Sequence, residues 1–182
     1  MERGHVILLR EFLNDLTEKN ITRILDAGSG KTSLSAIAAY FPEAHVDAVV
    51  YPGDERKLCS IRPMLTETFR AVEQDICRDP IDGTYDLVVA HLLLGEAAKF
   101  GNSFETLLEQ LLAVKSRYVI LIDYSEDPNV DEAAIESLCQ RNHLTILRRT
   151  CVENADPQIW EDFTGTHNFG YLIEKNLYCS LQ

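Results

Sequence analysis

The sequence predicts an α/β protein: a doubly wound, mostly parallel seven-stranded sheet with an antiparallel C-terminal strand. Three observations predict it. Runs such as Tyr85-Asp86-Leu87-Val88-Val89-Ala90 and Tyr118-Val119-Ile120-Leu121-Ile122 are apolar with little alternation, as strands buried on both faces are. Segments of helical periodicity separate such runs almost from end to end. Near the C-terminus two strand-like runs follow one another with no helix between them. They therefore pair antiparallel, because parallel neighbours need a crossover.

Taken in order, residues 6–18 place Leu9, Phe12, Leu13 and Leu16 on one helical face, so that 1–20 forms an N-terminal helix packed on the core. Residues 21–26 form the first strand and 33–41 the first crossover helix, which Pro42 ends. Residues 45–51 are the second strand. The piece 53–68 is helical but broken, since Pro63 removes a backbone donor. Strands follow at 71–74, 85–90 and 117–123, with helices at 103–115 and 130–141. The C-terminal hairpin, 144–178, comprises strands at 144–152 and 169–178 joined by a polar loop, 153–167, that carries the single Trp. One domain, 1–182, accounts for the whole length.

A net charge of −12 argues against a long footprint on a nucleic-acid backbone, which needs clustered Lys and Arg. Arg148-Arg149 is the one basic pair that stands out, and it reads as a solvated edge. The five cysteines have no C-x-x-C spacing and an odd count, against a zinc site and against a disulfide framework. They read as reduced thiols of a cytoplasmic protein. No signal-peptide pattern opens the chain, and no apolar run reaches the about 18–20 residues of a membrane span.

Chemistry concentrates at Ile24-Leu25-Asp26-Ala27-Gly28-Ser29-Gly30-Lys31-Thr32, a buried strand entering a glycine-bearing turn with a helix beyond it. Such an edge presents backbone N–H groups and a helix N-terminus to a ligand. The two glycines offer positive φ and close backbone approach.

Here the chain resembles the class I S-adenosylmethionine-dependent methyltransferases, whose first motif, D/E-x-G-x-G-x-G, ends the first strand. Phe41-Pro42-Glu43-Ala44, Gln74-Asp75-Ile76 and Tyr85-Asp86-Leu87-Val88-Val89 fall in the family's order, and the resemblance spans roughly residues 6–178. It implies S-adenosylmethionine as cofactor. Asp26 would face the donor's α-amino group, and Gly28, Ser29 and Gly30 would lie against its methionine part. Asp75 would bind the adenine amino group, with Ile76 packed on the ring. His91 would stand where substrate meets the donor methyl, as the candidate catalytic residue.

The chain departs from the pattern twice. Thr32 replaces the third glycine, and Val50 or Tyr51 stands where the family has an acid for the ribose hydroxyls. Tyr51 could contribute one hydroxyl or stack on the adenosine, and Asp54 could reach back. A charged hydrogen bond contributes about 1.5–3 kcal/mol, so its loss implies weak donor binding or none.

Two other readings stay open. Lys31-Thr32 with Asp123 could form a P-loop nucleotide site, although Leu25 stands where that motif needs glycine. A non-catalytic methyltransferase-like binding or assembly module fits the missing acid. Bland roles compete for each residue as well. Asp26 could cap the turn, Asp75 could form one, and His91 could be a satisfied structural histidine. Trp160 and Phe163 could cover the sheet edge, while Glu126-Asp127 and Asp131-Glu132 read as an acidic helix start. Ala90-His91-Leu92-Leu93 is not an N-P-P-[YF] box, which with the acidity points to a small-molecule or protein acceptor. Its pocket would be built from the N-terminal helix, the loop after His91 and the 154–167 loop.

Overall fold

The computed structural model describes residues 3–176. Seven strands form one sheet in the order β3-β2-β1-β4-β5-β7-β6. They are β1 (Arg23–Ala27), β2 (His45–Val50), β3 (Phe69–Glu73), β4 (Thr84–His91), β5 (Lys115–Tyr124), β6 (Thr145–Ile159) and β7 (Thr164–Glu174). The first five run parallel, and β7 inserts antiparallel between β5 and β6. The predicted fold class is the observed one.

Apolar side chains on each face of the sheet decide where the helices go. On one face α1 (Gly4–Asp15), α2 (Lys31–Tyr40) and α3 (Glu55–Ile61) bury Leu9, Phe12, Leu13, Leu34, Ile37 and Ile61 in a cluster with β1, β2 and β4. On the other, α4 (Phe104–Ala113) and α5 (Glu132–Arg141) bury Leu107, Leu108, Leu111, Ile135 and Leu138. Leu16 lies just past α1 yet is 1% exposed, so the whole predicted apolar stripe is buried. Arg148 fastens α1 to β6 through Glu11 (2.5 Å) and Asp15 (2.9 Å), and Arg149 pairs with Glu132 and Glu136 of α5. The basic pair thus stays at a solvated edge, as expected, and is engaged there by two helices.

Three local expectations are corrected. Residues 153–167 are not a loop, because β6 continues to Ile159 and β7 starts at Thr164. The ladder carries them past the end of β5, where Tyr124 pairs with Asn168, so these polar residues need no sheet beneath them. Glu126-Asp127 do not start a helix. Asp131 caps α5 by accepting from Ala133 and Ala134, whereas Glu126 accepts from His167 and Thr166 of β7. A 3₁₀ helix, Leu94–Phe100, follows β4, and helical periodicity gives no sign of it. The expected strand ending at 178, and Cys179, run outside the described residues. Among the described residues no helix is long and apolar enough to cross a membrane.

Candidate donor-binding site

The register of the central strands brings the predicted residues to one edge of the sheet. Asp26 of β1 lies opposite Val89, and Ala27 opposite Ala90, so the turn after β1 begins level with His91 at the end of β4. Open parallel sheets bind ligands at this carboxyl edge.

Asp26 is fully buried. Its Oδ2 accepts from Ser29 Oγ (2.5 Å) and Ser33 Oγ (2.7 Å), while its Oδ1 is buried with no hydrogen-bond partner. Loss of solvation raises the carboxyl to about 7, against the two serine hydrogen bonds and the Lys57 charge that pull it down. Gly28 takes φ +66, the left-handed region that favours glycine. Gly30 does not share that reason: it is extended at φ −144, as any residue can be, and a side chain there would meet open space. Ser29 is fully buried and its N–H donates to Val49 O at 2.7 Å, tying the turn to β2. Ser33, on the first turn of α2, escaped the sequence reading, although a hydroxyl one helical turn past the glycines was the available signal.

Gly28, Tyr51, Asp75 and Ile76 line one cavity, together with Lys57, Leu93, Glu96 and Phe100. Tyr51, just past β2, stacks on Phe100 at 4.0 Å between ring centroids. Asp54 is the N-cap of α3, accepting from Lys57 N at 3.0 Å through one carboxylate oxygen. Asp75 turns its carboxylate to its own loop, accepting from Cys77 N at 3.0 Å and pairing with Arg78 at 3.4 Å. That is the turn-forming role, performed at the cavity wall.

His91 stands apart from this cavity. Its Nε2 shares a hydrogen bond of 2.9 Å with Nδ1 of His5, and both rings are buried. Burial lowers His5 to about 4, aided by the Arg3 charge, and His91 to about 3, aided by His5. Both are therefore neutral near pH 7, and His5 Nε2 is a further buried atom without a partner. Tyr124 packs 6.3 Å from the His5 ring and 5.7 Å from Phe163, and Trp160 stacks with Phe163 at 6.2 Å. The hairpin tip thus packs on Tyr124 at the end of β5, and Tyr124 in turn packs edge-on against His5. His5 lies 86 residues from its partner, a distance at which sequence gives no signal.

Lys31 and Thr32 are exposed at the start of α2, whereas Asp123 is buried at the end of β5, accepting from Tyr124 N and Gly95 N. Lys31 thus faces solvent while Asp123 is buried and taken up by backbone N–H groups, an arrangement that does not favour the P-loop reading. Among the described residues no group of three His, Cys, Asp or Glu is placed to hold a metal.

No family model and no curated protein matches the chain. Solved structures do. A S-adenosylmethionine-dependent methyltransferase from Clostridium acetobutylicum aligns at TM-score 0.65 and 14% identity, over 93% of this chain and 91% of that one. Magnesium protoporphyrin IX methyltransferase from Synechocystis PCC 6803, with bound SAM, aligns at 0.64 and 16%, over 95% and 80%. The N-methyltransferase NodS from Bradyrhizobium japonicum aligns at 0.62 and 13%, over 94% and 93%. Identities this low speak to architecture, and with the strand order and reversed β7 they show that the chain has the class I S-adenosylmethionine-dependent methyltransferase fold.

Proposed function

We propose that the chain is an S-adenosylmethionine-dependent methyltransferase acting on a small-molecule or protein acceptor. One observation carries the reading. A fully buried carboxylate ends β1 beside a left-handed glycine, with one oxygen lacking any partner. Leaving a buried acceptor unmade costs about 1–3 kcal/mol, and a ligand ammonium would satisfy it. The donor chemistry fits the residues present: Asp26 Oδ1 for the α-amino group, the Gly28 backbone for the methionine part, and Ile76 and Tyr51 as apolar and aromatic walls for the nucleoside.

When bound, the donor supplies a methyl group on a sulfonium. The protein must then place the acceptor and, where needed, receive a proton. Asp26 fixes the ammonium, and its ionisation follows from that contact. His91, the candidate catalytic residue of the resemblance, is neutral and hydrogen-bonded to His5. Burial that lowers it to about 3 makes it a weak base, so an acceptor that needs no deprotonation by the protein suits the site best. Tyr124, Phe163 and Trp160 wall the acceptor side.

A second reading has its own observation. No carboxylate ends β2, and the cavity measures about 40 Å³, room for about three waters. A non-catalytic module would show both features. Calorimetric titration with S-adenosylmethionine and S-adenosylhomocysteine, with ATP plus magnesium as control, separates the readings. Binding lost in Asp26→Ala supports the donor site, and silence at millimolar donor supports the module.

A further inference from the structure

We propose that residues 92–101 are an autoinhibitory strap, seated in the donor cleft in place of the donor and displaced when it binds; this rests on the donor-site reading above. Leu93 lies against the Gly28 turn so closely that a Cβ on Gly28 would stand 2.4 Å from Leu93 Cδ1. The place where the turn would admit a ligand is thus taken by this side chain. At the other end Phe100 lies nearly parallel to Tyr51, 20° between planes, and covers the ring face a nucleoside would use. Between them Glu96 pairs with Lys57 of α3 at 3.0 Å, both side chains 30% exposed, and closes the strap across the cleft.

The strap can turn at its C-terminal end, where Gly101 takes φ +73 with open space around it. At the other end Leu92 takes φ +54, a conformation a leucine rarely holds. Its root is fixed. Leu92 N donates to Ile122 O at 2.8 Å and Gly95 N to Asp123 Oδ2 at 3.2 Å. A Cβ on Gly95 would stand 1.9 Å from Asp127 Oδ2, so the chain passes where only glycine fits. What moves is the segment beyond Gly95, with Leu93 free to change rotamer. Beyond Gly95 the holding contacts are the Phe100 ring stack, the Lys57–Glu96 pair and Ala97, 5% exposed in the core cluster, while Leu94, fully buried, stays with the root. Such contacts hold a segment without locking it, so a competent fraction opens and apparent affinity scales with that fraction.

The test is titration calorimetry with S-adenosylhomocysteine on the full chain and on Phe100→Ala, Leu93→Ala and Glu96→Gln, each checked by thermal melting. Loosening the strap tightens binding, by about five- to tenfold for Phe100→Ala and about twofold for Glu96→Gln, whose surface position leaves the core intact. Trypsin cleavage at Lys99, exposed on the strap, becomes faster when S-adenosylhomocysteine is added. Equal or weaker binding by all three variants, with measurable binding by the natural chain, overturns the strap and leaves the donor site standing. Binding by none of the four proteins overturns both.

Discussion

Asp26 holds two properties in tension. Its carboxyl is raised to about 7 because burial disfavours the charge, yet the proposed ligand needs that charge. A group whose folded pKa exceeds its unfolded value adds stability that is full below the unfolded pKa, about 3.8, and is lost as pH rises through about 7. Asp26→Asn cannot ionise. Its stability relative to the natural chain should therefore improve from pH 4 to about 7 and then level off, read as urea midpoints at pH 5 and pH 8. A constant difference across that range would mean Asp26 ionises normally in the fold. The D-x-G-x-G spacing made this residue legible from sequence. Its serine partners and bare oxygen were not, because they depend on how α2 returns over the turn.

Among the elements, α1 is held where its buried stripe meets β7. Gly170 of β7 faces Phe12 so closely that a Cβ would lie 2.5 Å from Phe12 Cε2, with Phe12 itself fully buried. Gly170→Ala should destabilise the fold by about 1–3 kcal/mol, the usual cost of overpacking, seen as a lower urea midpoint with unchanged slope. Because α1 carries His5, the same change should disturb the His5–His91 bond, visible in the imidazole NMR resonances. The parallel strands and α1 were legible because burial on both faces, or on one stripe, writes itself into composition. The strap was not, since Leu92-Leu93-Leu94-Gly95 has neither a strand nor a helix period and its 3₁₀ turns follow tertiary contacts. Residues 153–159 hid a strand for a related reason: most stand clear of the core, and they are held by ladder pairs at Glu153, Gln158 and Ile159 and by the Asn154 side chain, bonded to Gly4, Gly165 and Asn168.

Across the whole molecule, two buried acids oppose two buried histidines. Asp26 and Asp123, both raised to about 7 chiefly by burial, make stability fall as pH climbs from about 4 to 7. His5 and His91, lowered to about 4 and about 3, do the reverse: their contribution is full above 6.5 and is lost as pH falls through the folded values. The natural chain should therefore show a nearly flat urea midpoint between pH 4.5 and 6.5. Over that window Asp26→Asn should tilt it upward with pH and His91→Gln downward. Equal slopes in all three would refute the compensation. None of this balance is legible in the sequence, where the four residues are scattered from His5 to Asp123.

The most direct test of the donor site joins binding to protonation. At pH 6.5 a carboxyl of pKa about 7 is mostly protonated, and an ammonium bound to it drives the proton off. Titration with S-adenosylhomocysteine in two buffers of different ionisation enthalpy should show release of most of a proton, and Asp26→Asn should abolish both that release and most of the affinity. Binding without proton release, or binding that survives intact in Asp26→Asn, would contradict the assignment of Asp26 as the donor's anchor.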